Sequence, residues 1–121
     1  MKKTLLDSSF IITCVKQKID LFEDITFLGL RILIPRQVIS EIKRLSVKDE
    51  DAKLALRILE KETESFERVN LEKYGKTTDK KIIRFANENR DVLIATLDRD
   101  IKQKTENGKI VIRGKKKIEV V

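Results

Sequence analysis

Val92-Leu93-Ile94-Ala95-Thr96 is the most continuous apolar run in the chain, and Asp98 follows it by two residues. A short run with no polar alternation suits a strand buried on both faces, as in the middle of a parallel sheet. Upstream lies a predicted helix over 78–89, with Ile82, Ile83 and Ala86 at helical spacing and Thr78 as its N-cap. Downstream, a helix is predicted over about 98–106 and strands over 109–112 and 118–121. The first half of the chain alternates in the same way. A strand over 3–6 ends at Asp7, and helices are expected over 8–15 and 19–28, the second with Leu21, Phe22, Ile25 and Leu28 on its apolar face. A strand over 32–34 is closed by Pro35. Helices over 36–46 and 50–64 follow, the latter with Ala52, Ala55, Leu56 and Leu59 in its stripe, then a short strand over 66–69. Strands alternating with helices predict a three-layer α/β fold with a mostly parallel central sheet.

The 121 residues suit one domain spanning 1–121, with no internal repeat or linker. Hydrophobic residues make up 40% of the chain, enough for a packed core. The formal net charge is +7, which favours polyanionic partners, nucleic acid first among them; a lysine-rich surface without such a role is the plainer reading. Cys14, the only cysteine, sits in an apolar run with Phe10, Ile11, Ile12 and Val15, so a buried structural thiol and a reducing, cytoplasmic setting are expected. The opening Met1-Lys2-Lys3-Thr4-Leu5-Leu6-Asp7 is not a signal peptide, and no later run is long enough to span a bilayer, so no membrane partner is expected.

The chain has no histidine. That excludes Ser-His-Asp and Cys-His nucleophile systems, His-based acid–base pairs and the usual zinc sites. Carboxylates, hydroxyls and lysines remain, and carboxylates favour hard cations. Asp7 and Asp98 each follow a predicted strand, so parallel central strands would bring both to one sheet edge, where α/β folds bind ligands. Glu41 shares the apolar stripe of Val38, Ile42 and Leu45, and Asp79 begins the stripe of Ile82, Ile83 and Ala86. Both are therefore expected to point towards the core, where an acid needs a partner or an ion. Singly, Asp7 and Asp98 could be helix caps, Asp79 a helix-dipole partner and Glu41 a side chain snorkelling to water. A shared cation explains all four at once. Asp100, further from the strand, is expected on the outer rim.

Leu-Leu-Asp-Ser-Ser-Phe at 5–10, Ile-Pro-Arg-Gln-Val-Ile-Ser-Glu-Ile at 34–42, Thr-Asp-Lys-Lys-Ile-Ile-Arg-Phe-Ala at 78–86 and Ala-Thr-Leu-Asp-Arg-Asp at 95–100 resemble the PIN-domain nucleases over essentially the whole chain. The resemblance implies a Rossmann-like PIN fold and Mg2+- or Mn2+-dependent endoribonuclease activity. It implies Asp7, Glu41, Asp79 and Asp98 as the metal-binding catalytic acids, with Ser9 and Thr96 supporting them. The small relatives include VapC-type toxins with an antitoxin partner, and homodimers are common among them. The Thr-Leu-Asp-Arg-Asp stretch also looks like a branch that processes ribosomal RNA. A module that binds nucleic acid or a partner without cutting is a further alternative, against which all four acids stand. Arg113, Lys115, Lys116 and Lys117 are candidate RNA-backbone contacts or else a solvated turn. One tyrosine and five phenylalanines give little support for a base-stacking platform. Haloacid-dehalogenase-like phosphatases need an Asp where Ser9 stands, and receiver domains place their Asp after a mid-chain strand, so neither pattern fits.

Overall fold

The computed structural model describes residues 2–114 and 116–121. Six strands form one sheet in the order β3-β2-β1-β4-β5-β6, built from β1 (Lys3–Leu6), β2 (Arg31–Pro35), β3 (Glu67–Val69), β4 (Leu93–Ala95), β5 (Lys109–Arg113) and β6 (Lys117–Val120). All neighbouring pairs are parallel except the β5–β6 hairpin. The helices are α1 (Ser8–Lys16), α2 (Leu21–Phe27), α3 (Arg36–Leu45), α4 (Glu50–Lys61), α5 (Thr78–Glu88) and α6 (Arg99–Gln103), with a 3-10 turn over Glu72–Tyr74. The expected three-layer α/β/α architecture with a mostly parallel sheet is the one found. Helices α1, α3 and α4 pack against one another, and α5 contacts α6. Right-handed crossovers put these two groups on opposite faces, because the chain moves outward from β1 to β3 and then returns to the other side of β1 at β4.

That return makes the gap between β1 and β4 the point where strand order reverses. Crevices at such points, beyond the carboxyl ends of the strands, are where α/β sheets take ligands. Leu6 pairs with Ala95 here, and the Asp7 amide donates to the Ala95 carbonyl at 3.0 Å, so the chain leaves both strands at one level. Beneath this edge the core is continuous, with Leu5, Leu6, Ile34, Ile94 and Ile110 all at 1% exposure or less. Cys14 is free and buried within it, and burial pushes its thiol up to about 12.

Several expectations shift at element ends. Leu28 and Leu45 belong to apolar stripes by spacing but stand at 40% exposure, Leu28 as the C-cap of α2 and Leu45 as the last residue of α3. The cap of α5 is Thr77, whose side chain accepts from the Lys80 amide; Thr78 is the first helical residue. Helix α4 stops at Lys61, where Glu62 and Ser65 make a turn of their own. Helix α6 ends at Gln103, short of 106, because Thr105 and Asn107 are buried as a connector. The Asn107 amide faces the carbonyls of Ala86, Asn89 and Val92 at 2.8–3.1 Å, tying the end of α5 to the start of β5. No helix among the described residues is long and apolar enough to cross a membrane.

Candidate active site

Asp7 is the N-cap of α1, placed there because β1 passes into the helix without a loop. Its Oδ1 accepts from the Ser8 amide at 2.7 Å. Its Oδ2 accepts from the Thr96 hydroxyl at 2.8 Å and from the Ser9 hydroxyl at 3.3 Å. The residue is only 5% exposed. Burial holds its carboxyl above the ordinary 3.8, the hydrogen bonds from Thr96 and Ser8 oppose that, and the Glu41 charge adds to it.

Asp98 caps α6, its Oδ1 accepting from the Ile101 amide at 3.1 Å. Thr96 links the two caps: its hydroxyl accepts from the Asp98 amide at 3.0 Å while donating to Asp7. Ser9 does likewise, accepting from the Leu97 amide at 3.3 Å. The plain capping role and a place in the acidic group thus coexist in Asp7 and Asp98. Glu41 reaches the group from α3, where Ser8 Oγ donates to its Oε1. Its other oxygen lies 3.7 Å from the Arg44 guanidinium.

The expectation that Glu41 and Asp79 point into the core is corrected. The Glu41 side chain is 30% exposed and Asp79 is exposed. Asp79 stands in the first turn of α5, ahead of the buried Ile82, while Glu41 lies on the flank of its stripe, between the fully buried Val38 and Ile42, where α1 brings Ser8 against it. Asp79, the second residue of α5, still belongs to the group. Its carboxyl is raised by partial loss of water and then by the charges of Asp98, Asp7, Glu41 and Asp100. Asp100 lies on the exposed side of α6, 3.2 Å from Lys104.

The four acids expected from the sequence therefore share one edge and repel one another there. As placed, no three acidic side chains among the described residues close on one point tightly enough to hold an ion. Their oxygens are turned instead towards Ser8, Ser9, Thr96, Arg44 and the amide of Ile101. The chemistry of the donor set nonetheless fits a hard divalent cation: oxygen donors alone, with Asp7 and Asp79 raised first by loss of water and then by the neighbouring negative charges.

Two residues on this edge were not singled out from the sequence. Ser8 is an ordinary first-turn serine by its position, and only the packing of α1 beside α3 brings it to Glu41. Arg44, at i+3 from Glu41, had a helical-spacing signal that could have found it. In the hairpin, Arg113 and Lys117 both pair with Glu119, at 2.7 and 3.6 Å, so their charge is partly matched within the protein. Lys116 is exposed, and Lys115 lies outside the described residues.

Comparison with known proteins places this geometry in context. The profile of a PIN-like domain family matches residues 4–117. The rRNA-processing protein fcf1 of Schizosaccharomyces pombe is 33% identical over 103 residues, 83% of this chain. The chain spans about half the length of that curated relative, 51% of it. The structure of the PIN domain endonuclease Utp24 superposes with a TM-score of 0.80 at 30% identity, covering 98% of this chain and 90% of that one. The crystal structure of PAE2754 from Pyrobaculum aerophilum has a TM-score of 0.57 at 21% identity, covering 89% and 83%, and is a likeness of fold alone.

Proposed function

The chain belongs to the PIN-like domain family, and from that premise we propose that it is a metal-dependent endoribonuclease whose site is built on Asp7, Glu41, Asp79 and Asp98. The observation that carries the reading is the bond network at one sheet edge, in which Thr96 donates to Asp7 and accepts from the Asp98 amide while Ser8 donates to Glu41, with Asp79 opening α5 close enough to feel their charges, although the four acids are remote in sequence. The likeness to the PIN domain endonuclease Utp24 supports cleavage, and the likeness to the rRNA-processing protein fcf1 favours ribosomal RNA processing over a toxin role.

Asp7, Glu41, Asp79 and Asp98 would hold Mg2+ or Mn2+. Such an ion supplies Lewis-acid chemistry, bringing positive charge to phosphate oxygens and acidity to water. The protein's own part is preorganisation. Thr96 fixes Asp7 and the Asp98 backbone in one move. Ser8 aims Glu41 at the same edge from α3. Asp98 is fixed to the start of α6 by the Ile101 amide. In the overall hydrolysis, a water oxygen bonds to phosphorus, the bond to the 3′ oxygen breaks, and that oxygen takes a proton. The products carry a 5′-phosphate and a 3′-hydroxyl.

The test is cleavage of a labelled RNA with and without Mg2+ or Mn2+, by the wild-type protein and by Asp7→Asn. Asn keeps the capping ability of Asp. Cleavage that needs the ion, gives 5′-phosphate ends and drops in the variant by more than the roughly 10–100-fold typical of losing a residue that only orients a ligand is expected. A 2′,3′-cyclic end, or undiminished cutting by Asp7→Asn, would overturn the reading.

A further inference from the structure

A second feature opens beside the acids, on the β2 side of the edge. Helix α3 faces the 3-10 turn and the start of α5 across an open groove of about 470 Å3. Arg36, Ser40, Arg44, Glu72 and Thr78 line it, and Glu41 forms part of its wall. The groove therefore runs directly into the site.

Its lining sets two guanidiniums, Arg36 and Arg44, against two carboxylates, Glu41 and Glu72, and each carboxylate has a second partner: Glu41 the proposed ion and Glu72 a lysine. Arg36 and Arg44 both lie exposed on α3, and Arg44 is 75% exposed. The contact of Arg44 with Glu41, at 3.7 Å, is long and wet, so exchanging it for a phosphate costs little. Across the groove, Glu72 is offset by the buried Lys81 at 3.5 Å. No aromatic side chain is among the lining residues, so nothing there reads a base by stacking; guanidiniums and hydroxyls contact a sugar–phosphate backbone.

The far wall is pinned. Gln37 accepts from the Leu71 amide at 3.1 Å and donates to Asn70 at 3.0 Å, and Asn70 accepts from the Glu72 amide at 3.0 Å. A side chain of α3 thus holds the opposite side of the groove in place, and the groove keeps its width without a ligand.

Resting on the reading that the chain cuts RNA, we propose that this groove seats the RNA backbone next to the scissile phosphate, with Arg36 and Arg44 each holding one phosphate. The strand then runs from the acids into the groove beside α3. Binding in the groove is independent of base sequence.

The experiment measures affinity for a fluorescein-labelled single-stranded RNA across a salt series, in the Asp7→Asn background with Mg2+ present. Each of Arg36→Ala and Arg44→Ala should weaken binding and lower the slope of log affinity against log salt by about 0.7, the value for one phosphate contact on a single strand. Lys16→Ala removes the same charge at the end of α1, on the opposite sheet edge, and should leave the slope unchanged. If the two arginine variants behave like Lys16→Ala, the groove proposal is wrong. The cleavage assay with wild-type protein judges the nuclease reading separately. Asp7-dependent cutting alongside unchanged slopes removes only the groove, and changed slopes without cutting remove the nuclease reading and with it the scissile phosphate, leaving the two arginines as RNA-backbone contacts alone.

Discussion

Single side chains decide how the acids on this edge are aimed. Ser8 is the least conspicuous of them: its hydroxyl donates to Glu41 across the α1–α3 contact, and its amide donates to Asp7. A residue that orients a metal-binding carboxylate typically changes metal affinity or activity roughly 10–100-fold when removed. Ser8→Ala is therefore expected to weaken Mn2+ binding and slow cleavage by that order, while Ser8→Thr, which keeps the hydroxyl, restores much of both. Melting temperature serves as the control. A loss of stability with Mn2+ affinity intact would give Ser8 a merely structural role.

Helix ends carry the next level of organisation. Helix α5 delivers Asp79, and its start is set by Thr77, whose hydroxyl accepts from the Lys80 amide at 3.2 Å. Thr78, next to it, sits in the first turn, as good an N-cap by residue type but placed one position too late. Thr77→Ala is expected to cost about 1 kcal/mol of stability, the usual cost of losing a threonine cap, and Thr78→Ala clearly less. Denaturant titration of both variants checks the order, and equal losses would contradict the assignment. Asp79 shows what a helix start does to a stripe: the face it opens is covered only from Ile82 onwards. A periodic stripe tells which face of a helix is apolar, but the neighbouring elements decide how much of that face is covered.

At the level of the whole molecule, the acids oppose the fold that gathers them. Asp7 and Asp79 both hold their protons above the ordinary 3.8, Asp7 mainly through burial and Asp79 through lost water and neighbouring charge. A carboxyl raised on folding binds protons more readily in the folded state, so its contribution to stability falls as pH rises through the raised value. Without divalent ion, this contribution is least favourable at neutral pH and recovers as pH falls towards 3.8. A bound cation competes with those protons. The gain in melting temperature on adding Mn2+ is therefore expected to be large near neutral pH and to shrink on acidification through the raised values. A gain independent of pH would mean that the ion binds elsewhere.

The sequence by itself determined the alternation of strands and helices, the mostly parallel sheet, and the placing of Asp7 and Asp98 just past two strands, because apolar periodicity and strand length are local properties. It also marked Ser9 and Thr96, through likeness to a family. Only the tertiary structure decided that β1 and β4 are neighbours at the point where strand order reverses, that Thr96 bridges Asp7 to the Asp98 backbone, and that Ser8 meets Glu41. It likewise decided which arginines face the groove beside Glu41. These contacts join residues as far apart as 7 and 96, and no local pattern encodes them; they follow from the order in which the chain lays its strands into the sheet.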